Sequence, residues 1–129
     1  MNKLNFLSGI LFIFSLSIIL SFVINEYIPN WVVPAEYEMM TNQNDDERAG
    51  KSLYVLHCKS CHGKYGEGDG PKAVNLNTDS GDFTLDEFQF QSDGALFYKT
   101  KIGRSEMPEF SKKLDDDEIW SIVSYMRTL

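Results

Sequence analysis

The pattern of apolar and polar positions divides the chain into three stretches. From Leu4 to Ile24 no residue is charged, and Leu, Ile, Phe and Val dominate. As a helix rising about 1.5 Å per residue, that run is long enough to cross a hydrocarbon core of roughly 30 Å. From Asn25 to Asn44 there is no apolar period, and Pro29 and Pro34 interrupt any helix, as expected of a tether. From residue 45 to Leu129 helical periodicity returns at both ends. Asn44, Asp45 and Asp46 offer N-caps for a helix from about Asp46 to Leu56, with Ala49, Leu53 and Leu56 at helical spacing. Asp115 and Glu118 predict a capping box that opens a helix to Leu129, with Ile119, Ile122, Val123 and Met126 on one face.

Between these helices the signals are weaker. Gly66, Gly68, Gly70 and Gly81 punctuate a polar stretch from Gly63 to Gly81, which is expected to be mostly loop. Thr84 is placed to cap a short helix through about Gln89. Asp93 is placed to cap another, with Ala95, Leu96 and Phe97 inside and Gly103 ending it. A proline-containing loop, Arg104 to Phe110, follows. With no βαβ pattern and no alternating strand, the class is all-α with long loops. Gly50 stands inside the first of these helices, where glycine costs about 0.5–1 kcal/mol relative to alanine. Its presence predicts the close approach of another backbone, and the two terminal helices are the natural pair to cross.

Charge adds location. Lys3 precedes the apolar run and Glu26 follows it, a bias that places the start in the cytoplasm and the rest outside. A cleaved signal peptide is the rival reading, but its apolar region is usually about 7–15 residues and ends at a small-x-small site. This run is longer, and Ser21 to Asn25 contains no such site. The expected organisation is a retained single-span anchor at 1–24, a tether at 25–44 and a domain at 45–129 on the periplasmic side of the cytoplasmic membrane. Twenty residues of tether stretch to roughly 65 Å and average about 25 Å as a coil. Tyr27, Trp31 and Tyr37 fit an aromatic belt at the membrane surface; packing of Trp31 or Tyr37 on the domain is the equal alternative. All nineteen acidic residues and eleven of the twelve basic ones follow residue 25, so the exported part carries −8. That sign favours basic protein partners and gives no support to nucleic-acid binding.

The chemistry is concentrated in Cys58-Lys59-Ser60-Cys61-His62. Two thiols one helical turn apart can add to the two vinyl groups of a haem as thioethers, and the histidine that follows lies under the iron. A zinc site needs four ligands, and a thioredoxin-type dithiol needs a preceding strand. Here the chain's only two cysteines and two histidines all lie between His57 and His62, after a helical pattern. A domain of about 85 residues with this much loop also needs a staple, which one covalently attached haem c provides. The second axial position falls to Met107, on a loop stiffened by Pro108. Core filling is the ordinary role of a lone methionine, but Met126 lies on a packing face and Met39 and Met40 lie in the tether.

Over about Asp46 to Leu129 the chain resembles the class I cytochromes c. The residues that carry the likeness are Gly50 and Tyr54, the Cys58-x-x-Cys61-His62 motif, Gly70-Pro71, Met107-Pro108, and Trp120 through Arg127. The resemblance implies a small all-α cytochrome c fold with long loops around one haem, preceded here by a transmembrane helix. It implies that Gly50 and Tyr54 meet the last helix near Ile122 and Tyr125. It also implies that the Pro71 carbonyl accepts a hydrogen bond from the non-ligating nitrogen of His62, fixing the ring's tautomer.

The expected function is that of a membrane-tethered electron carrier with a His/Met-ligated haem, not an enzyme. The resemblance implies partners such as a quinol-oxidising complex and a terminal oxidase. A fixed haem subunit of a larger respiratory complex is one alternative, with Gly9 and the serines at 8, 15, 17 and 21 permitting close helix contact in the membrane. A haem enzyme or gas sensor with an open sixth position is another. It lacks a well-placed distal base, since His57 belongs to the attachment turn and Glu106 and Arg104 are weak candidates.

Overall fold

The computed structural model describes residues 31–129; the predicted anchor and the first part of the tether lie outside them. Among the described residues, no helix is long and apolar enough to cross a membrane. Among the described residues six α-helices form in this order: α1 Ala35–Glu38, α2 Glu47–His57, α3 Lys59–His62, α4 Asp86–Gln89, α5 Asp93–Ile102 and α6 Asp116–Met126, with a 3-10 turn at Ala73–Asn75.

The two long terminal helices start where the chain supplies caps. Asp46 accepts from the Ala49 N–H (2.9 Å), satisfying one of the orphan donors of α2. The predicted capping box is present at α6: Asp115 accepts from the Glu118 N–H (2.8 Å) and Glu118 accepts from the Asp115 N–H (3.0 Å). Ile119, Ile122, Val123 and Met126 are all buried, as their spacing predicts. The helix stops at Met126 rather than Leu129: beyond it the Thr128 and Leu129 N–H groups bond only three residues back, to Tyr125 and Met126, in a tightened last turn.

α2 and α6 cross at Gly50. A Cβ there would overlap the carbonyl oxygen of Ser121 and sit 3.0 Å from the Cβ of Tyr125, which explains a glycine that helix propensity alone disfavours. One turn on, Tyr54 is fully buried, with its ring edge-on to Tyr125 (5.2 Å). Around this crossing lie Phe83, Leu96, Phe97, Phe110 and Leu114, which complete the core. Trp120 stacks on Phe97 at 4.1 Å, joining α6 to α5.

Two of the expected caps are displaced by one step. Ser92, not Asp93, caps α5 by accepting from the Ala95 N–H (3.0 Å), and Asp93 instead pairs with Arg127 (2.7 Å). Thr84 does not cap α4, which Leu85 precedes; its hydroxyl donates to Asp82 (2.6 Å) in a local turn. In both places a neighbouring side chain offered a better-aligned partner.

Val33 to Leu129 forms one compact unit. Within it the stretch expected as tether packs from Val33 onward. Tyr37 of α1 lies against Phe97 (6.3 Å) and Tyr98 (4.7 Å), so packing on the domain is its role, and Gly94 is left without a side chain where the Tyr37 carbonyl approaches. Farther along, Asn42 donates to the Trp120 carbonyl (3.0 Å) and Ser124 (2.8 Å), and Asn44 donates to the Asp117 carbonyl (3.0 Å) and Ser121 (2.9 Å). These amides run along α6 and tie the arm to it.

Candidate haem site

The attachment turn grows directly out of α2. The Cys58 N–H still bonds to Tyr54 (2.8 Å), while the Cys58 carbonyl accepts from both Cys61 (3.1 Å) and His62 (3.0 Å). That tight turn sets the two sulfurs one turn apart, as addition to two vinyl groups requires. No disulfide joins Cys58 and Cys61. Burial, with a smaller contribution from Cys61, pushes the Cys58 thiol up to about 12. The pair follows a helix rather than the strand that leads into a thioredoxin-like dithiol, which disfavours that reading.

The next loop wraps the same turn. The Gly68 N–H donates to the His62 carbonyl (3.0 Å), Gly70 to Cys61 (3.1 Å) and Lys72 to Ser60 (2.8 Å). A Cβ at Gly70 would lie 2.6 Å from backbone atoms of Cys61 and Ser60, so only glycine fits this cradle. Pro71 is thereby held between two anchored residues beside the turn. From the other side, the Tyr54 hydroxyl donates to the Gly63 carbonyl (2.9 Å). Burial raises its pKa far above the ordinary phenol value, with Cys58 the next cause.

Burial lowers the pKa of His62, an effect that the approaching Ser80 carbonyl partly offsets. That direction favours the neutral imidazole, the form in which a lone pair is available to a metal. Phe83 lies 4.5 Å from the ring and stacks in turn on Phe88 (4.3 Å). The Nδ1 atom of His62 is buried with no hydrogen-bond partner. An orphaned nitrogen of this kind is costly unless a further group completes the site.

Met107 comes from a separate turn. Arg104 and Met107 exchange backbone hydrogen bonds of 2.9 Å each, with Ser105 between them at φ 54°, in the left-handed region. Gly103 enters the turn at φ 63°, where a side chain would strike the backbone of Pro108 and Glu109. The Met107 side chain is half-buried against the core. Between Ser105 and Met107, the Glu106 carboxylate accepts from the Asn77 N–H (2.8 Å), the Thr78 N–H (3.0 Å), the Thr78 hydroxyl (3.0 Å) and the Asn77 amide (3.3 Å). Local desolvation of this exposed group raises its pKa, but the bonds from Thr78 and Asn77 outweigh this and hold the carboxyl below its usual range. So engaged, Glu106 is not a free distal acid. His57 is likewise turned aside, edge-on to Phe110 (6.0 Å) at the end of α2.

The structure thus gathers Cys58, Cys61 and His62 on one bonded turn, with Pro71 between Gly70 and Lys72, which bond to it, and Met107 on a second loop; the Nδ1 of His62, left without a partner, does not bond to the Pro71 carbonyl. Two thiols a turn apart, an imidazole with an unpartnered nitrogen and a glycine cradle fit a covalently held haem. Ser80, Phe83 and the Glu106 network are the parts that sequence reasoning missed. None of them carries a spacing cue, because their partners lie in other loops.

Comparison with known proteins agrees with this geometry. The family model described as cytochrome c oxidase, cbb3-type, subunit III matches residues 45–126. The chain is 31% identical over 101 residues to the cbb3-type cytochrome c oxidase subunit CcoP of Azospirillum brasilense, covering 74% of this chain and 34% of that protein. It therefore spans about a third of that relative's length. It is 26% identical over 77 residues to cytochrome c6 of Parathermosynechococcus lividus, covering 60% of this chain and 83% of that one. Among solved structures, the KustC0563 c-type cytochrome superposes with a TM-score of 0.54 at 31% identity, over 61% of this chain and 94% of that chain.

Proposed function

The chain belongs to the cytochrome c oxidase, cbb3-type, subunit III family, and on that premise we propose that it is a membrane-tethered cytochrome carrying single electrons in a respiratory chain. Its coarse role is that of an electron-carrying c-type cytochrome with covalently bound haem c. The finer reading is one haem attached through Cys58 and Cys61, with His62 and Met107 as axial ligands. The observation that carries it is the half-buried His62, whose buried Nδ1 has no hydrogen-bond partner, on the same turn as two cysteines not joined by a disulfide.

When bound, haem c supplies an iron that changes its oxidation state by one electron. The chain's own residues make that change inexpensive in structural terms. His62 is held by the bonded turn and by Phe83, so its ring does not have to reorient. In this reading the Pro71 carbonyl would accept from the non-ligating nitrogen of that ring and keep its tautomer. Met107, a neutral thioether, would raise the reduction potential of the iron relative to a second histidine. His62 and Met107 together would hold the iron, so ligand exchange need not accompany electron transfer. The proposed partners are a quinol-oxidising complex and a terminal oxidase, reached by a domain on the periplasmic side of the cytoplasmic membrane and anchored through residues 1–24.

The docked arm favours a second reading, a fixed haem subunit of a larger respiratory complex. With residues 33–44 laid along α5 and α6, at most residues 25–32 link the domain to an anchor, about 28 Å at full extension. Such a link permits far less travel than a free tether of twenty residues. Extraction in mild detergent separates the readings: a free carrier purifies alone, and a subunit brings stoichiometric partners. For the ligand set, the ferric protein is expected to show a far-red methionine-to-iron charge-transfer band. Its survival in Met107→Ala would reject Met107 as the ligand.

A further inference from the structure

We propose that Glu106 is a positioning residue for the sixth ligand, locking the Met107 turn to the Asn77–Thr78 loop; the inference rests on the reading of Met107 as that ligand. One carboxylate takes four donors from two consecutive residues, 28 and 29 positions away in the chain. Two of those donors are adjacent backbone N–H groups converging on a single oxygen, an arrangement that selects an anion. The loop so gripped is itself tied to the attachment turn upstream, through Gly70 on Cys61 and Lys72 on Ser60. Glu106 therefore closes a continuous path of bonds from the residues that carry His62 to the residue beside Met107.

The Met107 turn needs such a fastening. Its reciprocal backbone bonds close only a short loop, and Ser105 holds a left-handed conformation that L residues adopt at a cost. Without the carboxylate grip, a half-buried thioether on this turn would leave its place more often. The apparent affinity of a competing ligand rises with the fraction of time that the position is vacant.

Imidazole titration of the ferric holoprotein, followed by loss of the far-red band, measures that fraction. Glu106→Ala and Glu106→Gln are expected to bind imidazole about fivefold more tightly than the parent protein. Glu109→Gln, a nearby carboxylate that bonds only to Ser111 and Lys112, is expected to match the parent. Asn77→Ala combined with Thr78→Val removes the two side-chain donors of this grip and leaves the two backbone N–H groups. It is expected to raise imidazole affinity alone, and to add little to Glu106→Ala. Unchanged affinity in the Glu106 variants overturns the proposal. So does an equal effect of Glu109→Gln, which would make it a matter of net charge, or full additivity with the loop variant. If the band instead survives Met107→Ala, it is the ligand assignment that has failed, and Glu106 has no ligand to position.

Discussion

Replacing Gly50 with alanine tests the helix crossing on which the attachment turn depends. In an isolated helix this change stabilises by about 0.5–1 kcal/mol. Here the new Cβ would overlap the Ser121 carbonyl oxygen and press on the Tyr125 Cβ at 3.0 Å, against about 3.5–4.0 Å for relaxed carbon contacts. Backbone cannot rotate aside as a side-chain tip can, so α2 and α6 must part. Forced overpacking of this kind costs about 1–3 kcal/mol, which outweighs the propensity gain and leaves a net loss of about 1–2 kcal/mol. For a domain of this size the loss lowers the melting midpoint by about 5–15 °C. Thermal unfolding of the holoprotein, followed by far-ultraviolet circular dichroism, reads the shift. Ser52→Ala, at an exposed position one turn-half along the same helix, gains propensity without a tertiary contact and should stabilise by a few tenths of a kcal/mol. A Gly50→Ala midpoint equal to or above the parent's would refute the crossing argument.

Tyr54→Phe removes a buried hydrogen bond to the Gly63 carbonyl and should cost about 1–2 kcal/mol in denaturant unfolding at neutral pH. Because the folded-state pKa of Tyr54 is raised above the unfolded value near 10, its stabilisation is present below that pH and declines as pH rises beyond it. The parent should therefore lose its advantage over Tyr54→Phe above about pH 10, and a constant difference across that range would contradict the assignment. Arg127 donates to Asp93 (2.7 and 2.9 Å) and to the carbonyls of Gln89 (2.8 Å) and Gln91 (2.6 Å), a planar fork that lysine cannot reproduce. Arg127→Lys should destabilise by about 1–2 kcal/mol, measured by urea midpoint, and a loss below a few tenths would mean that the clamp is idle. Removing both arm amides, Asn42→Ala with Asn44→Ala, should speed limited proteolysis within residues 33–44 several-fold while leaving the visible spectrum unchanged.

What was legible in the sequence follows from how far apart the cooperating residues lie. The Asp46 cap and the Asp115–Glu118 box were readable because cap and helix are separated by three residues, and the apolar face of α6 because period survives any tertiary context. Gly50 announced an anomaly that propensity could not explain, and the structure supplies its cause in Ser121. The displaced cap at Ser92 was not legible, because Asp93 is drawn off by Arg127, 34 residues away. The asparagine arm bonds across 73 to 82 residues, so a stretch with prolines and no period looked like tether from Val33 as well as before it. At the site itself the motif gave the covalent chemistry. Phe83 against His62 and Glu106 against Asn77 and Thr78 belong to loop packing, which no local pattern encodes.

The intact mass of the protein recovered from membranes tests the account at its centre. The account predicts the chain mass increased by a single haem that resists acidic organic extraction, and loss of that increment when Cys58 and Cys61 are both replaced by alanine. A parent protein at the bare chain mass, or an increment that persists without the two cysteines, would contradict it.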